Sequence, residues 1–353
     1  MKFVFWGVLF LGVFLRILLP KPDFLQGKKV RITTKVLEEP VVYQSYQKLS
    51  LSGLKVYLPK FPKISYGDKV VVEGVVDAGK LTAAKLIKVE ESQGLLRKVR
   101  EKIIFFYQKS LPEPHSSLIA GITLGSKSAL PETFWRQLTT SGLAHVVVAS
   151  GSNVSLVAGF LVGIFTLFLA RGRVIPLILD GIWLYALLAG FEAPIVRAAI
   201  MGSVAFVAQR LGKVSAAWNA LLLSALVMLF FRPEWRGDLG FILSFVATAC
   251  LLIFQTRIAK AFKALPIILR EGLSTSLAAQ IGVAPILFVT FGRFNILTPL
   301  ANALVLWTVP IIMAVSGIAG ILGLLIPSLA RAILYLIYPL TSWFIFVTRI
   351  FGQ

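Results

Sequence analysis

From about residue 144 onward the chain is a succession of apolar stretches, each near the length that crosses a bilayer core, and this constrains its fold more than any other feature. The stretches run over about 144–170, 174–191, 194–209, 215–231, 239–256, 272–291, 295–326 and 329–350. The 32-residue stretch 295–326 contains Pro299 and Pro310 and must be broken or doubled. With residues 3–19, apolar except for Arg16 and followed by Pro-Lys-Pro rather than a small-residue cleavage site, the pattern predicts eight to ten spans. Apolar residues make up 57% of the 353 and charged residues 15%, well under the roughly 25% of ordinary globular chains, so lipid is the expected solvent for most of the molecule.

A net charge of +20 is unusual for so apolar a chain. Cytoplasmic loops enriched in Lys and Arg and an anionic polymer as partner would each produce it. If Met1-Lys2 is cytoplasmic, the predicted inner loops carry Arg171, Arg173, Arg210, Lys213, Arg257, Lys260, Lys263 and Arg270 against Glu271. The predicted outer loops are nearly balanced, with Arg232, Arg236 and Arg293 against Glu234 and Asp238. That asymmetry places residues 24–92 outside the membrane. Two histidines and the single Cys250 argue against a zinc or iron site, and no cofactor or phosphate-binding loop is expected.

Residues 24–92 alternate in polarity over 29–37, 41–49, 54–58, 69–76 and 81–89, with turn signals at Glu39-Pro40, Ser52-Gly53, Tyr66-Gly67-Asp68 and Ala78-Gly79. Five strands in so short a span suit a small closed barrel, an OB-fold first and an SH3-like barrel second. Residues 95–110 are basic and amphipathic, as for a helix lying on a membrane surface. After the Pro-rich turn Leu111 to Pro114, residues 116–143 are too polar to span alone. The fold class is therefore a polytopic α-helical membrane protein with an N-terminal extracytoplasmic all-β (OB-like) barrel. Its parts are an N-terminal transmembrane helix (1–22), the barrel (24–92), a surface helix with approach segment (95–143) and a multi-helix region (144–353).

The barrel segment holds thirteen Lys or Arg residues between Lys21 and Lys88, with tyrosines among them. Lys28, Lys29, Arg31 and Lys55 with Tyr43, Tyr46 and Tyr57 could follow a phosphate backbone and stack bases; equally, they could be a solvated face and strand core. On an unbroken helix His145 and Ser152 share a face with Ala149 and Gly159, a polar stripe that reads as pore wall or as a helix-packing seam. The Ser150-Gly151 pair can break that helix and free backbone groups toward water. A serine hydrolase is disfavoured, because His145 and Ser150 lack a nearby carboxylate and the flanks are no nucleophile elbow. Glu192 and Arg197 could pair with each other, or Arg197 could offer its planar fork to a phosphate. Asp238 is placed to cap a helix containing Ser244. Asn219, Gln280 and Asn302 are amides for interhelical bonds or for a polar path.

Four segments in order resemble the ComEC family of competence proteins: GLAHVVVASGSNVSLVAG (142–159), APIVRAAIM (193–201), 218–245 and 274–310. The preceding β-domain fits too. Asn153 stands where that family usually has a second His, and no His-x-His-x-Asp-His nuclease pattern occurs in these residues. The resemblance implies a non-enzymatic inner-membrane channel that conducts single-stranded DNA into the cytoplasm during natural transformation. It also implies an external DNA receptor, a cytosolic ATP-driven translocase and a separate nuclease, and a polymer-wide pore would call for a homo-oligomer. His145, Ser150, Gly151, Asn153, Arg197, Asp238, Ser244, Gln280 and Asn302 become pore-lining candidates, and Arg197→Ala and His145→Ala are expected to abolish uptake without loss of insertion. Alternatives are a transporter for another anionic cargo, such as a nucleotide or glycan precursor, and a shortened non-conducting paralogue.

Overall fold

A computed structural model describes residues 11–16, 26–36, 40–42, 45–77, 79–92, 94–127, 130–148, 150–212, 216–292 and 295–352. Of the N-terminal apolar run, residues 11–16 are helical; the remainder of the expected helix over 1–22 lies outside the described residues, as do Tyr43, Ala149, Lys213 and Arg293.

The alternating segment forms a six-stranded sheet. Its strands are β1 (Lys29–Lys35), β2 (Val41–Val42), β3 (Tyr46–Leu51), β4 (Leu54–Pro59), β5 (Lys69–Asp77) and β6 (Lys80–Glu90), in the order β1-β5-β6-β4-β3-β2. Period-two patterning decides the faces: Leu49, Leu51, Leu54, Val56, Leu58, Val70, Val72 and Val76 point into one core. Ser52 and Gly53, both with positive φ, turn β3 into β4, the geometry that two-residue hairpins prefer. β4 and β6 pair in parallel, and every other ladder is antiparallel. Two expectations change. The predicted second strand is two, β2 and β3, and no ladder joins β1 to β2 among the described residues, so the sheet is not a closed barrel.

The rest is helical. The helices are α1 (Leu95–Ser110), α2 (His115–Leu124), α3 (Glu132–Thr140), α4 (Ala144–Val147), α5 (Gly151–Phe168), α6 (Arg171–Leu188), α7 (Ala193–Arg210), α8 (Ala217–Phe231), α9 (Leu239–Ala261), α10 (Ile267–Phe291), α11 (Thr298–Val305), α12 (Val309–Leu322), α13 (Pro327–Leu336) and α14 (Tyr338–Phe351). Among the described residues three stretches are long and apolar enough to cross a membrane: Ala144–Phe168 taken across its break, Leu239–Ala261 and Leu269–Thr290. Two bent pairs, α11 with α12 at 49° and α13 with α14 at 50°, raise the number to five among the described residues, against an expected eight to ten that included the stretch 3–19, most of which lies outside them. The difference has local causes. α8 is short at 15 residues, α6 carries Arg171, Arg173 and Asp180, Pro299 and Pro310 start new helices within the stretch expected to break, and Pro339 starts another where the apolar run looked continuous.

α1 does not simply lie on a surface. Its Ile103, Phe106 and Tyr107 are buried, and Gly320 and Gly323 of α12 are bare where Tyr107 and Phe106 pack. The Tyr107 hydroxyl donates to the Ser316 carbonyl at 2.7 Å, and the Ser316 and Thr123 hydroxyls meet at 2.7 Å, so α1, α2 and α12 share a polar seam. α2, within the segment that read as too polar to span, is buried from Ser116 to Leu124. In contrast, α9 buries only Phe241 despite a mean hydropathy of 2.0, and Phe168, Phe288 and Val289 stand exposed. Apolar surface on that scale fits a membrane protein.

The sheet is tied to the helices at Asp68. Its fully buried carboxylate accepts from the Ser65 N–H at 2.8 Å, the Ser92 N–H at 2.9 Å and the Arg97 guanidinium of α1. Burial raises the neighbouring Tyr66 phenol, opposed by the positive charges of Arg232 and Arg100. The loop before β5 therefore lies at the same end of the helical region as the turn between α8 and α9.

Candidate functional site

At that end, three helices begin close together. α5 starts at Gly151, with Ser150 extended at φ −114° and Val148 extended before it, so the helix that would have run through His145 and Ser152 is broken. The continuous stripe expected of His145, Ser152 and Gly159 is therefore not formed. α7 starts at Ala193, with proline in its first turn. α9 starts at Leu239, where Asp238 accepts from the Phe241 N–H at 2.7 Å as an N-cap.

Glycines set how closely these ends approach. A Cβ on Gly151 would stand 2.6 Å from Arg197 Nη2 and 3.7 Å from the Pro194 carbonyl, and one on Gly240 would stand 3.9 Å from Pro194 Cδ. Only a residue without a side chain lets α5 press against the guanidinium there.

Arg197, 8% exposed, is the charged group at the centre. Its Nη1 donates to the Ser244 carbonyl of α9 at 3.0 Å, its guanidinium carbon lies 5.9 Å from the Phe245 ring centre, and its Nε is buried with no hydrogen-bond partner among the described residues. Glu192 does not pair with it; its carboxylate takes Lys127 at 2.6 Å, a residue 65 positions earlier. Glu192 is the N-cap residue of α7, while Arg197 sits on the helix itself, and so the two diverge.

Asn153, two residues along α5 from Gly151, is fully buried. Its Nδ2 donates to the Ile122 carbonyl of α2 at 2.9 Å, and its Oδ1 accepts from the Ser150 hydroxyl at 3.1 Å and from Ser152 at 3.4 Å. The Tyr185 hydroxyl of α6 lies near Asn153 and is buried without a hydrogen-bond partner among the described residues.

Of the residues singled out from sequence, the structure brings together Ser150, Gly151, Asn153, Arg197, Asp238 and Ser244, the last through its carbonyl rather than its hydroxyl. His145 is apart: it is exposed, and its Nδ1–H donates to the Gly142 carbonyl at 2.9 Å. Gln280 and Asn302 belong to the α10–α11 packing. Asn302 donates to the Ser276 hydroxyl at 2.7 Å, while its Oδ1 and Gln280 Nε2 are buried without partners among the described residues. Asn219 is exposed. Lys127 and Tyr185 were not foreseen, because a bond across 65 residues and a tyrosine inside an apolar run leave no local signal.

The basic β residues divide into two groups. Lys29 and Arg31 of β1 lie 3.5 and 3.9 Å from the Glu73 carboxylate of β5, and Lys28 is exposed just before them. Two strands away, Tyr46 and Tyr57 face out from β3 and β4 with ring centres 5.8 Å apart, and Lys48, paired with Tyr57 in register, and exposed Lys55 flank them.

Residues 122–353 match the family described as Competence protein. The chain is 27% identical over 225 residues to ComE operon protein 3 of Bacillus subtilis (strain 168), a match covering 64% of this chain and 28% of that protein. It is 31% identical over 144 residues to Competence protein ComA of Neisseria gonorrhoeae, covering 38% and 21%. An uncharacterized protein of Aquifex aeolicus (strain VF5) is 28% identical over 232 residues, covering 65% and 52%. The matched part thus spans between about a fifth and a half of these relatives' lengths. No solved structure matches the chain. The family match covers nearly two thirds of the residues, including Ser150, Gly151, Asn153, Arg197 and the helices that hold them, and the chain belongs to the competence protein family.

Proposed function

We propose that this protein is an inner-membrane conduit that passes single-stranded DNA into the cytoplasm during natural transformation. The outward tyrosine–lysine face of the β3–β4 hairpin carries the reading: basic side chains suit a phosphate backbone, and two exposed rings offer bases a sequence-tolerant platform. Family membership supports a role in DNA uptake. The sheet, partly open and Greek-key-like in its connections, is read as an OB-like module.

The same reading gives an orientation. The start of α6 and the end of α9, away from the β-domain, carry Arg171, Arg173, Arg257 and Lys260, with Lys263 in the α9–α10 turn, Arg270 in the first turn of α10 and Arg210 at the end of α7. These would be cytoplasmic by the positive-inside rule, leaving the β-domain and the Arg197 cluster at the outer side. Energy and degradation of the second strand would come from a cytosolic ATP-driven partner and a separate nuclease, and DNA from an external receptor.

The test is uptake of labelled DNA by cells carrying the chain or lacking it, together with oligonucleotide binding by the full chain in detergent. Steep weakening of binding with salt, and loss of uptake on deletion, are the expected results. Normal uptake without the protein overturns the conduit. Preference for a nucleotide or glycan precursor over oligonucleotide selects the transporter instead.

A further inference from the structure

We infer that Arg197 and the first turn of α5 form one site for a phosphodiester oxyanion. This rests on the conduit reading and specifies where in the path a phosphate is held. A guanidinium 8% exposed is costly unless an anion compensates it, yet Arg197 makes no ion pair among the described residues and its Nε has no partner. The nearby acids are committed elsewhere, Glu192 to Lys127 and Asp238 to the Phe241 N–H. Ser150, the N-cap residue of α5, makes no side-chain cap and turns its hydroxyl to Asn153. The start of α5 therefore keeps its positive end directed at the guanidinium that Gly151 admits. Backbone N–H groups, partial positive charge and a planar fork together form a receptor for tetrahedral oxyanions. At the proposed mouth of a conduit, such a site would engage one phosphate of the strand and release it as the next arrives.

The experiment uses the full chain in neutral detergent, with inorganic phosphate titrated against chloride at constant ionic strength and unfolding followed by tryptophan fluorescence. Phosphate is expected to raise the melting midpoint, with half-saturation weakened about tenfold or more in Arg197→Gln and less in Arg197→Lys. Gly151→Ala, which keeps the charge but fills the space beside Nη2, is expected to weaken the response as well, and it provides the test if Arg197→Gln fails to fold. A short oligothymidylate should compete with phosphate, and micellar phosphatidylglycerol should not. An unchanged response in Arg197→Gln, or in Gly151→Ala where Arg197→Gln does not fold, overturns the site. So does no response in the wild type, or competition by the lipid alone. Because the readout involves no transport, its failure leaves the uptake result standing, and failed uptake leaves the phosphate result standing.

Discussion

Asn153 and His145 show how far residue type is from residue role. Both are polar groups in one apolar motif, yet Asn153 is fully buried with bonds to α2 and to both flanking serines, while His145 is exposed on a single turn and bonds only the Gly142 carbonyl among the described residues. Asn153→Ala should strip the Ile122 carbonyl of its donor and cost about 2 kcal/mol. His145→Ala should cost within about 0.5 kcal/mol. Chemical unfolding of the two variants in one detergent checks the contrast, and equal losses would mean that Asn153 is not the anchor described. The hairpin tyrosines give a functional counterpart. Tyr46→Ala with Tyr57→Ala should weaken oligonucleotide binding by about 1–3 kcal/mol per stacked base without changing the salt slope. Lys55→Ala should reduce that slope by about 0.7.

At the scale of elements, the α1–α12 contact depends on two missing side chains. Gly320 and Gly323 lie where the Tyr107 and Phe106 rings need space, and the Tyr107 hydroxyl reaches the Ser316 carbonyl between those helices. Gly320→Ala should overpack this seam and destabilise the fold by about 1–3 kcal/mol, seen as a lower melting midpoint. Gly317→Ala, where a Cβ meets nothing within 4 Å, is the control. The amphipathic pattern of residues 95–110 announced a helix correctly, but periodicity records only that one face is apolar. Whether lipid or α12 covers that face depends on residues some 200 positions away.

For the whole molecule, the Asp68–Arg97 pair holds the sheet against the helices. Arg97 keeps Glu101 at 2.8 Å, so removing the 1% exposed Asp68 carboxylate chiefly leaves the Ser65 and Ser92 N–H groups without their acceptor. Asp68→Ala should loosen the junction by about 2 kcal/mol, and faster tryptic cleavage after Arg97 and Lys98, with the helical region intact, would register it. The orientation proposed above has its own check. In a Cys250→Ser background, single cysteines at exposed Asp77 and Glu234 should react with an impermeant thiol reagent from one side of the membrane and a cysteine at exposed Lys260 from the other. Labelling of Asp77 and Lys260 positions from the same side would end the proposed topology.

Apolar run length, period-two alternation and a row of family-like segments depend only on neighbours along the chain, so sequence alone determined a helical region rich in apolar stretches, a β-segment before it and the family. The break between 295 and 326 was equally legible, because proline removes a backbone donor whatever surrounds it. Sequence did not determine which apolar runs stay continuous, as the bend before Tyr338 shows. Nor did it determine whether the sheet closes, or that Glu192 would take Lys127 and leave Arg197 without a carboxylate. Those outcomes belong to the tertiary structure, because burial, glycine-permitted approach and charge pairing are set by which distant segments meet.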